Sequence, residues 1–178
     1  MKVQANGIPI EVEDTGEADR PAVVLVMGLG LQLVAWPDAF VEGLHDAGLR
    51  VVGFDNRDVG LSQHFPQLGV PNLAVASLQS RLGLPVRAPY TLQDMAADTL
   101  GVMDALGIRA AHVLGMSMGG MIAQRVALAA PDRVLSLTSI MSSSGARRLP
   151  GPQPQVLKAM LARPPGTDED EQVRHTVG

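Results

Sequence analysis

The stretch HVLGMSMGGMIAQ, residues 112–124, decides the fold because it passes from one type of secondary structure directly into another. It begins as an apolar run that is typical of a buried strand and stops at Gly115. After Ser117 it resumes with the apolar spacing of a helix. The stretch therefore predicts a strand, a sharp turn and a helix, with one serine at the turn.

The flanking sequence repeats this alternation. Apolar runs that predict buried strands occur in PAVVLVMGLG, LRVVGFDNRD, RAAHVLG and RVLSLTSIM, and helical spacing fills most of the intervals between them. In one interval Thr91 is the predicted helix cap, with Asp94 at the capping-box position. Strands separated by helices pair in parallel and are covered on both faces. We therefore predict an α/β fold, a mostly parallel sheet with helices on both faces.

Three segments stand outside this alternation. The N-terminal run KVQANGIPIEVED contains Asn6-Gly7, a dipeptide that favours tight turns, and predicts a β-hairpin. Residues 62–89 are rich in proline, glycine and leucine and predict a long covering loop. Residues 142–178 predict a loop, a short helix and an acidic tail that is partly flexible. We therefore expect a core over residues 1–141 and a separate segment over residues 142–178.

The composition limits the location of the protein and its class of partner. The chain has 178 residues, of which 46% are hydrophobic, enough to bury one sizeable core. Its net charge of −4 and scattered basic residues argue against nucleic acid as a partner. The N-terminus has no apolar signal region and no run approaches the ~18 apolar residues of a membrane span, so we expect a cytoplasmic protein. The absence of cysteine excludes disulfides and thiol catalysis.

The serine lies in the pattern G-x-S-x-G, formed by Gly115, Met116, Ser117, Met118 and Gly119. Between a strand and a helix this pattern marks a nucleophile, and the two elbow glycines supply the small neighbours that the turn needs. The hydroxyl would lie beside a helix N-terminus, whose free N–H groups favour negative charge. A simple N-cap serine is the alternative, and the strand before the turn favours the nucleophile.

A tetrahedral intermediate at this serine needs two backbone N–H donors. One would be Met118, directly after the nucleophile, and the other Leu29 in the glycine-rich loop VMGLG, which follows a buried strand. A tight turn without a further role is the alternative for that loop. Apolar residues near the two loops are candidates to line a pocket, although such residues are often core: Met27, Trp36 and Met116.

Four stretches, in this order, resemble α/β-hydrolase-fold proteins of the aclacinomycin methylesterase-like and cofactor-free haloperoxidase-like groups: LVMGLG…WPDAF, VVGFDNRDVGLS, APYTLQDMAADTLGVMDALGI and AHVLGMSMGGMIAQ. The resemblance covers residues 3–151. It implies a serine nucleophile at Ser117, an oxyanion hole from the N–H groups of Leu29 and Met118, and a helical cap after the strand that ends near Met141.

The chain departs from the resembling proteins at one turn. Asp58 stands where the pattern D-x-R-G-x-G-x-S has its usual glycine, so we interpret Arg57 and Asp58 as a structural, salt-bridged loop. Asp55 is a turn-forming position in the resembling proteins rather than a catalytic acid. We expect Asp94 and Asp98 to face solvent or to cap the helix.

The histidine and the acid of a catalytic triad are not predicted within this chain. In the α/β-hydrolase order both follow the serine, on loops after later strands. Of the four histidines, His45, His64 and His112 are expected to be surface or packing residues, and His175 lies in the predicted tail. Whole domains of this type run to roughly 200–250 residues. We therefore expect this chain to be the N-terminal portion of a longer hydrolase.

The expected function is hydrolysis of an ester or related acyl bond through an acyl-enzyme at Ser117, on an apolar small molecule and without cofactor or metal. Without a general base the chain alone should be nearly inactive. A non-catalytic fragment or binding module is one alternative, and cofactor-free perhydrolysis of the haloperoxidase type is another. The last predicted strand would leave an open sheet edge, at which we expect self-association or pairing with a C-terminal half.

Overall fold

The computed structural model describes residues 1–69 and 88–146 continuously, with isolated residues between 75 and 86 and between 149 and 156. The chain divides into two compact units, Met1–Gly145 and Ala146–Gly178. In the second unit, the N–H of Leu149 donates to the carbonyl oxygen of Ala146 at 2.9 Å. Part of the predicted covering loop, most of the predicted cap and His175 lie outside the described residues.

The first unit is built around one sheet. Its elements are β1 Lys2–Ala5, β2 Ile8–Asp14, β3 Ala22–Val26, α1 Asp38–Asp46, β4 Arg50–Phe54, α2 Leu92–Ala105, β5 Ala111–Met116, α3 Met118–Ala129 and β6 Val134–Ile140. The strand order is β1-β2-β4-β3-β5-β6. The four strands from β3 to β6 pair in parallel, and the hairpin β1–β2 joins β4 antiparallel. The predicted α/β fold with a mostly parallel sheet is confirmed.

Local signals explain two of the element boundaries. Asn6 and Gly7 have φ angles of 49° and 78°, and positive φ at both central residues is the conformation of a tight hairpin turn. Helix α2 begins at a capping box, in which the Thr91 hydroxyl accepts the N–H of Asp94 and the Asp94 carboxylate accepts the N–H of Thr91 at 2.7 Å. Both predictions are confirmed.

Hydrophobic residues fill both faces of the sheet, because successive side chains of a strand point to opposite faces. On β3, Val24 and Val26 pack with apolar side chains of α2 and α3. Val23 and Leu25, which alternate with them, pack instead with Trp36 and with partly buried side chains of α1. The strand is thus buried on both faces, as its continuous apolar sequence predicts. In the described part of the chain, no helix has the length and hydropathy needed to cross a bilayer.

Strand β6 forms one edge of the sheet, and most of its side chains are exposed to solvent. Leu135 is 56% exposed and Leu137 is 42% exposed. Within the residues that the structure describes, β6 pairs with β5 on one side and with no strand on the other. An edge strand with apolar side chains is a template for further pairing. Self-association at this edge stays a prediction, which light scattering of the purified protein would check.

The opposite part of the sheet carries a bidentate ion pair. The Arg50 guanidinium donates to the Asp14 carboxylate from Nε at 2.9 Å and from Nη2 at 2.6 Å, and it lowers the pKa of that carboxyl group. Both side chains are 9% exposed. The pair joins the end of β2 to the start of β4, so it ties the hairpin to the parallel strands.

We expect this pair to stabilise the fold at neutral pH and not in strong acid. Because the pKa of Asp14 lies below its ordinary value of 3.8 in the folded chain, its contribution is present above that value and is lost as the pH falls through the folded pKa. Asp14→Asn should therefore lower the Tm at pH 7, and the difference from wild type should shrink towards pH 2. Asp19→Asn, at an exposed aspartate, is the control. A difference that is constant over this pH range would contradict the prediction.

Candidate active site

Ser117 lies at a sharp turn between β5 and α3. Its backbone angles are φ 55° and ψ −119°, a region that non-glycine residues rarely adopt. Such a conformation costs roughly 1–3 kcal/mol and persists only where the surroundings hold it. Here the N–H of Ser117 donates to the carbonyl oxygen of Ile140 in β6 at 2.9 Å, and its own carbonyl oxygen accepts the N–H of Gly120 at 3.0 Å. The predicted strand, turn and helix are confirmed.

Glycines surround the turn where backbones come into contact. A Cβ on Gly119 would overlap the carbonyl oxygen of Val26 at the end of β3, and one on Gly115 would overlap the backbone of Gly119. These contacts are the physical reason for the two glycines that the motif contains. Gly120 is a third such position, which the sequence reasoning missed, because its Cβ would lie 2.6 Å from the Ser142 side chain. The two consecutive glycines at positions 119 and 120 are the sequence signal that indicates a close contact at Gly120.

The loop after β3 lies directly beside the serine. A Cβ added to Gly28 would come 3.3 Å from the Ser117 Cβ, 3.3 Å from the Met116 carbonyl oxygen and 3.8 Å from the Ser117 Oγ. Strands β3 and β5 are parallel neighbours, so their carboxyl ends meet. The order of the strands also reverses here, because β4 lies on one side of β3 and β5 lies on the other. Such switch points are where open α/β sheets bind ligands.

The two predicted oxyanion donors belong to the two segments that meet at this point. Met118 is the first residue of α3, and the first N–H groups of a helix have no partner within it. Leu29 follows Gly28, and in the described chain its N–H donates to no backbone carbonyl. Its side chain is 70% exposed. The arrangement can therefore present backbone donors and a helix N-terminus to an oxygen that develops negative charge beside Ser117.

The three predicted pocket residues lie in or against the core. Met27 is fully buried and Trp36 is 7% exposed, and both belong to the cluster on the α1 face of the sheet. Met116 is partly buried against the same cluster. Trp36 also lines a cavity of about 240 Å³ together with Leu33 and Val51, away from the serine. Packing accounts for Met27 and Met116, whereas the buried Trp36 Nε1 has no hydrogen-bond partner among the described residues. For all three residues, lining of a substrate pocket stays a prediction.

Asp55 organises two loops, which agrees with its interpretation as a turn-forming residue. It is 3% exposed, and its carboxylate accepts the N–H of Leu33 at 2.7 Å and the N–H of Leu61 at 2.9 Å. Gly60 is close enough that a Cβ there would overlap this carboxylate. The carboxylate is thus occupied by backbone donors rather than directed at the serine.

The loop after β4 is salt-bridged, but the partner of Arg57 is Asp98. Their side chains form a bidentate pair with distances of 2.6 and 2.7 Å, and both are buried. Asp58, with φ 62°, instead accepts the N–H of Phe65 at 2.6 Å. The expectation that Asp98 faces solvent is therefore wrong. Asp98 is 2% exposed, and its buried carboxylate accepts hydrogen bonds from Arg57 and from the Asn6 amide. Asp94 caps the helix, as expected.

The three described histidines form hydrogen bonds with residues other than Ser117. His45 on α1 contacts Glu17 at 2.7 Å, His64 contacts the Gly60 carbonyl oxygen at 2.9 Å, and His112 on β5 contacts the Ser136 hydroxyl at 2.7 Å. These partners agree with surface and packing roles. Of these three, none forms a hydrogen bond with the Ser117 hydroxyl.

Comparisons with known proteins agree with this fold. A family model described as alpha/beta hydrolase fold matches residues 21–173. Rhodomycin D methylesterases of Streptomyces sp. (strain C5) and Streptomyces peucetius are 36% identical over 172 residues and 39% identical over 127 residues, covering 86% and 71% of this chain. An enol-lactonase from Burkholderia xenovorans LB400 matches 75% of the chain with a TM-score of 0.56 and 30% identity. The chain spans 51%, 36% and 44% of these three proteins, respectively.

Proposed function

Because this chain belongs to the α/β-hydrolase fold family, we propose that it supplies the nucleophile and the oxyanion hole of a serine hydrolase that cleaves an ester or related acyl bond. The observation that carries the proposal is the strained turn at Ser117, with φ 55°, beside the loop that contains Gly28. A non-glycine residue held in this conformation is otherwise unexplained, since glycine would adopt it without strain. The relatives named as a methylesterase and an enol-lactonase support the acyl bond as the target.

In the proposed reaction the Ser117 Oγ attacks the acyl carbonyl carbon while a general base removes the hydroxyl proton. The carbonyl oxygen becomes an oxyanion, which accepts hydrogen bonds from the N–H groups of Leu29 and Met118. Collapse of the intermediate releases the alcohol, protonated by the same base, and leaves an acyl group on the serine. Water then attacks the acyl-enzyme in the same way and releases the acid. A histidine and its orienting carboxylate would complete the site.

Exposed apolar side chains support an apolar substrate. Leu29 follows β3, Leu61 lies in the loop after β4, and Met141 follows β6, with exposed fractions of 70%, 65% and 77%. Each of the three follows the carboxyl end of a parallel strand, and Ser117 lies at this same end of the strands. Exposed apolar side chains near a reactive group favour an apolar ligand there. We propose that an apolar acyl or ring compound binds at the carboxyl ends of these strands.

Labelling with a fluorophosphonate tests the proposal, because such probes react with a serine that is activated as a nucleophile. In the protein at its natural full length we expect one phosphonylated site, in the tryptic peptide of residues 110–125, mapped by mass spectrometry to Ser117. Heat-denatured protein is the control and should not be labelled. Labelling at another serine, or none in the native protein, would refute the proposal.

A further inference from the structure

Asn56 is a buried amide that makes a hydrogen bond to a different loop. It is 2% exposed, and its Nδ2 donates to the carbonyl oxygen of Met27 at 3.0 Å. Burying an amide costs free energy unless it is hydrogen-bonded, so an apolar residue of similar shape would satisfy packing more simply. The bond ends at the residue directly before Gly28. The amide therefore acts on the start of the loop that lies beside Ser117.

The neighbouring residue, Asp55, holds the other end of the same loop. Its Oδ1 accepts the N–H of Leu33 at 2.7 Å. A hydrogen bond to a charged group is roughly twice as strong as one between neutral groups. The segment of residues 27–33 is thus hydrogen-bonded at both ends to two consecutive side chains that follow β4. Gly28 and Leu29 lie between these two hydrogen bonds.

The segment that carries these two side chains is itself firmly held. The N–H of Asp55 donates to the carbonyl oxygen of Glu11 at 3.0 Å, and the Asp55 carbonyl oxygen accepts the Ser62 hydroxyl at 2.6 Å. The next residue after Asn56 is Arg57, which is fixed by its buried pair with Asp98. The loop of residues 27–33 is therefore tied to a segment that is itself held by hydrogen bonds to β2 and to Ser62 and by a buried ion pair with α2.

We propose that Asn56 is a positioning residue for the oxyanion hole, an inference that rests on the proposed function. The Met27 carbonyl and the Gly28 N–H belong to one planar peptide unit, so the Asn56 amide fixes the orientation of that unit. Gly28 has no Cβ to restrict its own rotation, and the next peptide unit carries the N–H of Leu29. Fixing the first unit thus narrows the directions in which the Leu29 N–H can point. Asn56 acts through the loop and does not touch the substrate.

Asn56→Leu removes the donor and keeps a similar shape. In the full-length protein we expect kcat to fall roughly 10- to 100-fold, less than the loss of a whole oxyanion donor, with KM within about two-fold of wild type. A trifluoromethyl ketone inhibitor forms a hemiketal whose oxyanion occupies the same position. Its affinity should fall by the same factor as kcat/KM, because both depend on the oxyanion hole.

Thr99→Val is the matched control. The Thr99 hydroxyl is fully buried and donates to the Met95 carbonyl oxygen at 3.0 Å within α2, so the substitution also removes one buried bond to a backbone carbonyl. It should lower the Tm and leave kcat and inhibitor affinity unchanged. If Asn56→Leu behaves in the same way, Asn56 is only a structural residue and the inference is overturned.

Hydrogen exchange separates a failure of this inference from a failure of the proposed function. Peptides that cover residues 28–33 should exchange faster in Asn56→Leu than in wild type, whereas Thr99→Val should leave them unchanged. This measurement requires no catalysis, so it tests the hydrogen bond between Asn56 and Met27 even if Ser117 is not labelled by the fluorophosphonate. Unchanged exchange in this segment would overturn the inference, whatever the activity of the protein.

Discussion

Replacing Ser117 by alanine is expected to lower kcat for ester hydrolysis by roughly 10⁶-fold in the full-length protein, with little change in substrate affinity. The substitution removes the atom that forms the acyl-enzyme and leaves the backbone donors of the oxyanion hole in place. Steady-state and single-turnover assays with a short-chain p-nitrophenyl ester would measure the loss. Residual turnover should reflect binding and the oxyanion hole alone.

Two further variants make this result specific. Ser142→Ala removes a hydroxyl near the first turn of α3 and should leave turnover close to wild type. Ser117→Gly should be as inactive as Ser117→Ala but more stable than it by about 1 kcal/mol, because glycine adopts a positive φ without strain. Substantial turnover by either variant of Ser117 would exclude the acyl-enzyme mechanism.

Replacing Gly119 by alanine is expected to have the largest effect on stability, a loss of about 3 kcal/mol and poor yield of folded protein. The added methyl group would overlap the carbonyl oxygen of Val26, and a backbone atom in a buried strand cannot move aside as a flexible side chain can. Urea unfolding of the variant, or its soluble fraction on expression, would measure the loss.

Gly43→Ala is the control for this prediction, because it makes the same change in another helix. Gly43 lies on the exposed side of α1, and a Cβ there would meet no atom within 4 Å. Since alanine favours helix over glycine by up to about 1 kcal/mol, Gly43→Ala should stabilise the protein. If the two substitutions had equal effects on the free energy of unfolding, close packing at the elbow would not be the reason for Gly119.

The features that sequence predicts here are those with local signals. The hairpin turn at Asn6-Gly7, the Thr91 cap and the elbow at Ser117 each depend on residues within a few positions of one another. The pair between Arg57 and Asp98 joins residues 41 positions apart, and the bond from Asn56 to Met27 joins residues 29 positions apart. Such partners are chosen by the packing of the sheet and α2, which no short pattern encodes.

The same difference explains which parts of the site were predicted. The motif specified the serine and its glycines because their roles follow from the turn itself. The loop that positions Leu29 is held by side chains from the end of β4, and those residues resembled a separate structural turn in the sequence. Apolar sequence alone does not distinguish a residue that lines a cavity from a core residue, and Trp36 is both.

The hydrogen bond from the Ser117 N–H to Ile140 has a consequence for synthesis of the protein on the ribosome. The bond joins Ser117 to the last residue of a strand that is made later. A nascent chain therefore cannot make this bond until β6 has emerged and paired with β5, which agrees with the general finding that a domain folds as a unit. During that interval the backbone of Ser117 is not yet held from β6, so the strained turn forms only when this part of the sheet has assembled.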